Sequence, residues 1–296
     1  MLLIAAIIWG TAFVAQSKGA QLVEPFTYNS LRMFIGGIVL IPVIAIFKKT
    51  GIIPRRSRDE KKQILKTTFI AGICCGAVLF TASSLQQIAM KTTSAGKAGF
   101  ITTLYIVLVP VIKLLIMREK TSLKVWLCLV LAVCGFFLLC VNEGFSIAYG
   151  DLLMLACAVF FALHIIVIDY FLRKNVEAVP MACIQFFVSG AMAAVMMLIF
   201  EHPNPENIWA AKGTILYMGL MSSGIAYTAQ IIGQQYTEPT LATLIMSLES
   251  VFAALSGWVI LGQALSVKEL TGCALVFAAV IFAQLKIPFF GKNKAA

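Results

Sequence analysis

The sequence predicts an all-α polytopic membrane protein, with ten transmembrane helices arranged as two inverted five-helix repeats, residues 1–145 and 146–296. Three observations predict it. The 296 residues are 60% hydrophobic and only 12% charged, about half the charge of an ordinary soluble domain, and a water-soluble chain this apolar would expose patches that aggregate. The apolar residues gather into ten runs, each long enough to cross lipid as a helix that satisfies its own backbone hydrogen bonds. Part of the second half also repeats the first at a constant offset. Period-two alternation is absent, which argues against a β-barrel.

The runs are 2–22, 26–47, 66–88, 93–117, 123–142, 150–170, 179–200, 213–235, 239–261 and 268–286. The first is the weakest, because Gln16, Lys18 and Gln21 follow its apolar stretch. It has no basic leader of the kind a signal peptide carries, so it reads as a spanning helix whose Lys18 snorkels to the interface. The basic residues between runs orient the chain. With the N-terminus inside, the inner segments carry 16 Lys and Arg and the outer segments 5, which places both termini in the cytoplasm of a cell with this as its inner membrane. The richest cluster, 48–66, reads as a solvated loop facing lipid headgroups. The net charge of +10 is thus a topology signal, and nucleic acid is not an expected partner. The eight cysteines fall almost entirely inside apolar runs and form no C-x-x-C, so they read as small apolar residues, and no metal ion or cofactor is expected.

An offset of 144 aligns 86–135 with 230–279 without a gap and gives 11 identities, among them Gln86/Gln230, Thr93/Thr237 and Ala98/Ala242. A second offset pairs Arg32 and Gly37 with Gln185 and Gly190. Five helices per half is an odd number, so the halves run in opposite directions, which is a common transporter architecture.

Several motifs add to this. Trp9-Gly10 lies in the first run. Pro25 precedes Leu31-Arg32 in the second. Ser94-Ala95-Gly96-Lys97-Ala98-Gly99-Phe100-Ile101-Thr102 leads to Val109-Pro110 in the fourth, and Arg118-Glu119 and Leu261-Gly262-Gln263 end the fourth and ninth. In this order they resemble the EamA-type branch of the drug/metabolite transporter superfamily over nearly the whole chain. That branch commonly has Gly-Glu at the last two sites, where this chain lacks the first Gly and has Gln for the second Glu. The resemblance implies a carrier of small metabolites across the cytoplasmic membrane, often outward, with amino acids and related compounds a common class. The implied partners are a small-molecule substrate and membrane lipid.

Polar groups inside apolar runs are the candidate site. Glu249 lies near the middle of the ninth run, and its partner at offset 144 is Tyr105. Glu249 suits a substrate ammonium or a transported proton, with a packing carboxyl as the plainer reading. His164 suits proton relay, although a histidine bonded to a carbonyl is the plainer explanation. Trp9, Phe13, Tyr105 and Tyr227 suit the wall of an amphipathic cavity. Gln230 and Gln234, one turn apart, suit substrate bonding or a bridge between helices. Arg32 reads as a structural anchor near the outer face, paired with Glu24 or backbone carbonyls, and Lys113 as a snorkelling side chain. Gly72-x-x-x-Gly76 permits close helix contact and offers a seat for a homodimer. Soluble-enzyme signatures such as G-x-S-x-G, H-E-x-x-H and the P-loop are missing from the sequence, so an enzyme is not expected. A motif-poor membrane enzyme or a passive channel is the alternative to a carrier.

Overall fold

The computed structural model describes residues 1–50, 57–93, 95–140, 148–261 and 266–285, and every regular element among them is a helix. In chain order these are α1 (Leu2–Leu22), α2 (Pro25–Lys49), α3 (Arg58–Ala89), α4 (Ala95–Thr103, Tyr105–Ile112 and Lys113–Met117), α5 (Leu123–Cys140) and α6 (Tyr149–Leu172). They continue with α7 (Ala178–Phe200), α8 (Lys212–Tyr217, Met218–Tyr227 and Thr228–Gln234), α9 (Pro239–Met246 and Glu249–Leu261) and α10 (Val267–Gln284). A short helix, Pro205–Ala210, joins α7 to α8. Nine stretches among the described residues are long and apolar enough to cross a membrane, whereas the apolar part of α5, Leu123–Leu138, is shorter.

Local chemistry explains most boundaries. Pro25 opens α2, where its missing N–H costs nothing. Helix α3 starts earlier than its apolar run, which corrects the expectation of a solvated loop through residue 66. Ser57 accepts from the Glu60 backbone N–H, and the Glu60 carboxylate reaches back to Ser57. This capping box starts the helix inside the basic cluster. Arg118 ends α4 in the left-handed conformation, at φ 57° and ψ 21°, an unfavourable conformation for a side chain with Cβ. Glycine would adopt it without that cost.

The protein is apolar outside and polar at its heart. Leu115, Leu198, Ile199 and Val259 face outward, while Gln16, Arg32, Gln87, His164, Gln185, Ser223, Gln230 and Glu249 are buried. Helix α2 packs on α7, α5 on α10, α3 on α6 and α7, and α1 on α8 and α9. Gly72 and Gly76 serve the α3–α7 contact: a Cβ on either would come within 2.7 Å of Ile184 or Val188. The glycine face expected to offer a seat to a second copy is therefore covered from within the chain.

Two features recur at constant offsets along the chain. Gly37 faces the Phe187 ring while Gly190 faces the Phe34 ring, and the two rings lie 6.2 Å apart. These are reciprocal contacts at a common offset of 153. Helices α4 and α9 also break at matching positions: α4 resumes at Tyr105 and α9 at Glu249, the pair separated by 144 residues.

Candidate functional site

The breaks in α4 and α9 meet beside a central cavity. It is a narrow cavity of about 50 Å³. The walls come from several helices: Trp9, Phe13 and Gln16 on α1, Arg32 on α2, Gln86 on α3, Thr102 and Tyr105 on α4, Phe161 and Ile165 on α6, Ser222, Tyr227 and Gln230 on α8, and Met246 and Glu249 on α9.

Trp9, Phe13, Tyr105, Tyr227, Gln230 and Glu249, all singled out from the sequence, line this cavity. The Tyr105 hydroxyl donates to Glu249 Oε1 at 3.2 Å, and the neighbouring Thr103 and Ser250 hydroxyls meet at 2.7 Å. Trp9 stands edge-on to Tyr227 with ring centroids 4.8 Å apart. Gln230 donates to Gln234, which donates to the Ile165 carbonyl, so this pair does bridge helices. His164 is not part of the wall. Its Nε2 lies 3.1 Å from Gln185 Oε1, and its ring backs Tyr227 at 6.0 Å. It is thus a support behind the site, bonded to a side-chain carbonyl.

Arg32 departs most from expectation. Glu24 is 2.6 Å from Lys91 and so is not its partner. Arg32 instead lines the cavity, is 1% exposed, and donates from Nε to Asn29 Oδ1 at 2.7 Å. Its Nη2 has no hydrogen-bond partner among the described residues. A signal was available: the helical neighbours three and four residues away, Tyr28, Asn29, Ile35 and Gly36, include no acid. Gln16, Thr102 and Ser222 were also missed, since short polar residues at helical spacing carry little sequence signal.

The family of EamA-like transporters matches residues 1–141 and 148–284. The chain belongs to that family. It is similar to an uncharacterized transporter of Archaeoglobus fulgidus, 28% identical and covering 97% of this chain and 85% of that one. It is also similar to the uncharacterized transporter YoaV of Bacillus subtilis, 22% identical over 93% of this chain and 92% of that one. A solved crystal structure shares the fold at a TM-score of 0.75, with 21% identity and 98% of each chain covered.

Within this EamA-like membrane transporter the tight residues now have reasons. Gly10 lets α1 touch α9 beside Glu249: a Cβ there would sit 2.5 Å from Phe252 Cβ and 2.8 Å from the Glu249 carbonyl oxygen. Charges close the end of the bundle that carries the N-terminus. Lys113 does not snorkel outward. Its side chain is 4% exposed, 3.0 Å from Glu119 and paired with Glu238 at the start of α9. Arg173 extends the chain of charges, 3.7 Å from Glu119 and 2.9 Å from Asp169. Together these pairs tie the ends of α4, α6 and α9. At the opposite end the Glu201 carboxylate accepts from the Phe26 and Thr27 amides at 2.8 and 2.7 Å, capping α2 with negative charge.

Proposed function

We propose that this protein is a secondary transporter moving small metabolites, amino acids and related compounds among them, outward across the cytoplasmic membrane. Its ten helices act as two inverted five-helix repeats, 1–145 and 146–296, which rock about the central cavity so that it opens to one side and then the other. The observation that carries this reading is the Tyr105–Glu249 hydrogen bond. It joins residues 144 positions apart, each at the resumption of a broken helix. Discontinuous helices meeting at mid-bundle are where transporters of opposed repeats place their substrate. The reciprocal Phe34/Gly190 and Phe187/Gly37 contacts support the two-fold relation. The Lys113–Glu238 pair and its neighbours form the latch that must part when that end opens. The excess of 16 inner basic residues over 5 outer ones supports cytoplasmic termini.

The test compares cells with and without the protein for release of, and resistance to, amino acids, nucleobases and toxic analogues. A solute released only by protein-bearing cells is expected, and Glu249→Gln and Glu249→Ala should abolish that release while the protein stays in the membrane. Tyr105→Phe, which removes one hydroxyl, should act more mildly. If both Glu249 variants release the solute normally, this cavity is not the route.

A further inference from the structure

We propose that Arg32 holds a small monovalent inorganic anion, of the size of chloride, in the central cavity. This goes beyond the transporter reading and does not depend on it, because the ion is detected by its binding and not by any flux.

Arg32 carries a charge that the fold leaves unanswered. It is buried in the bundle, and no ion pair among the described residues includes it. A guanidinium stays protonated at any pH a cell reaches, and a lone buried charge is costly. Its hydrogen-bonded neighbour is neutral. Asn29 accepts from Nε at 2.7 Å and is itself fixed by donating from Nδ2 to the Ser83 carbonyl at 3.0 Å. This holds the guanidinium still without neutralising it, and Nη2 has no partner among the described residues. Water satisfies such an N–H and leaves the charge. An anion answers both.

The surroundings of Arg32 also suit an anion. The Met218–Tyr227 segment of α8 lies against it: a Cβ on Gly219 would sit 3.2 Å from the Arg32 carbonyl oxygen. That segment brings the Ser222 hydroxyl and the Tyr227 phenol to the cavity wall, the phenol within electrostatic reach of the guanidinium. Trp9, edge-on to Tyr227, adds an indole N–H that likewise has no partner among the described residues. Hydroxyls and an indole N–H all donate to an anion. The acid of this wall, Glu249, accepts from Tyr105, and a buried carboxyl, unlike a guanidinium, can shed its charge by taking up a proton. Size narrows the choice of ion. About 50 Å³ has room for a small ion and a few waters. Phe13, Phe161, Ile165 and Met246 complete the wall with apolar surface, which offers nothing to a second negative charge.

The experiment melts the full chain, solubilised in detergent, in sodium chloride, sodium bromide and sodium gluconate at equal ionic strength. Gluconate carries the same charge on a molecule too large for the cavity. A ligand that binds only the folded protein raises its midpoint, so chloride and bromide should each melt about 2–4 °C above gluconate, with the rise levelling off as the halide is increased. Arg32→Gln should lose this difference. Asn29→Asp should lose it too, because a carboxylate then stands on the guanidinium in place of the ion. Glu249→Gln should keep it. Each variant is compared with itself across the three salts, so a general loss of stability cancels. Should Arg32→Gln fail to fold, Asn29→Asp, which matches the native side chain in shape, decides. Equal midpoints in the unaltered protein overturn the proposal, as does a difference that survives Arg32→Gln or Asn29→Asp. A difference that appears only in Glu249→Gln overturns it as well, since Glu249 would then be neutralising Arg32 across the cavity.

Discussion

A methyl group added at Gly10 probes the contact that brings α1 to the Glu249 break. An ideal Cβ there lies 2.5 Å from Phe252 Cβ, 2.8 Å from the Ala253 amide nitrogen and 2.8 Å from the Glu249 carbonyl oxygen. Carbon atoms rest about 3.5–4.0 Å apart, so α1 must withdraw from α9 by roughly 1 Å. Two of the three obstacles are backbone atoms and cannot rotate aside. Overpacking of this kind costs about 1–3 kcal/mol, against which alanine regains at most about 1 kcal/mol of helix propensity. Gly10→Ala should therefore lose about 1–2 kcal/mol, close to a tenfold change in the folded population. Gly213→Ala is the internal control. A Cβ there meets nothing within 4 Å, so the change should be neutral or stabilising by up to about 1 kcal/mol. The assay heats detergent-solubilised protein and follows the monodisperse fraction by gel filtration. Gly10→Ala melting with the unaltered protein would refute the close α1–α9 approach, and Gly213→Ala melting below it would refute the open space around that residue.

Further predictions concern the ends of the bundle. Glu201→Ala removes the carboxylate that caps α2 and should cost about 1–2 kcal/mol in the same melt, with Glu201→Gln between the two because one oxygen remains to accept. Lys113→Met takes away the cation between Glu119 and Glu238, which are 37% and 52% exposed, and should cost about 1 kcal/mol, partly recovered when both acids are also changed to Gln; no recovery would mean the lysine acts through packing. In intact cells, with Cys74 and Cys134 replaced, an impermeant thiol reagent should label Asn204→Cys and spare Ser57→Cys, both positions being exposed. The reverse pattern would invert the proposed orientation, and equal labelling would indicate insertion both ways.

What the sequence determined by itself rests on short-range physics. Lipid asks each spanning segment to bond its own backbone, so run length and composition alone announce the helices. Pro25 suits the first turn of a helix, where its missing N–H costs nothing. The offset of 144 already paired Tyr105 with Glu249, and those two side chains meet. The capping box at Ser57 was equally local, and went unread only because the basic cluster looked solvated. The tertiary structure decided the rest. Arg32 lines the cavity and donates to Asn29, while Glu24 pairs with Lys91, 67 residues along the chain. Whether Lys113 would reach outward depended on Glu238, 125 residues away. His164 stands behind Tyr227 because Gln185 of α7 holds it there. A buried charge takes its meaning from whichever groups the other helices bring within a few ångströms, and helical periodicity carries no record of those neighbours.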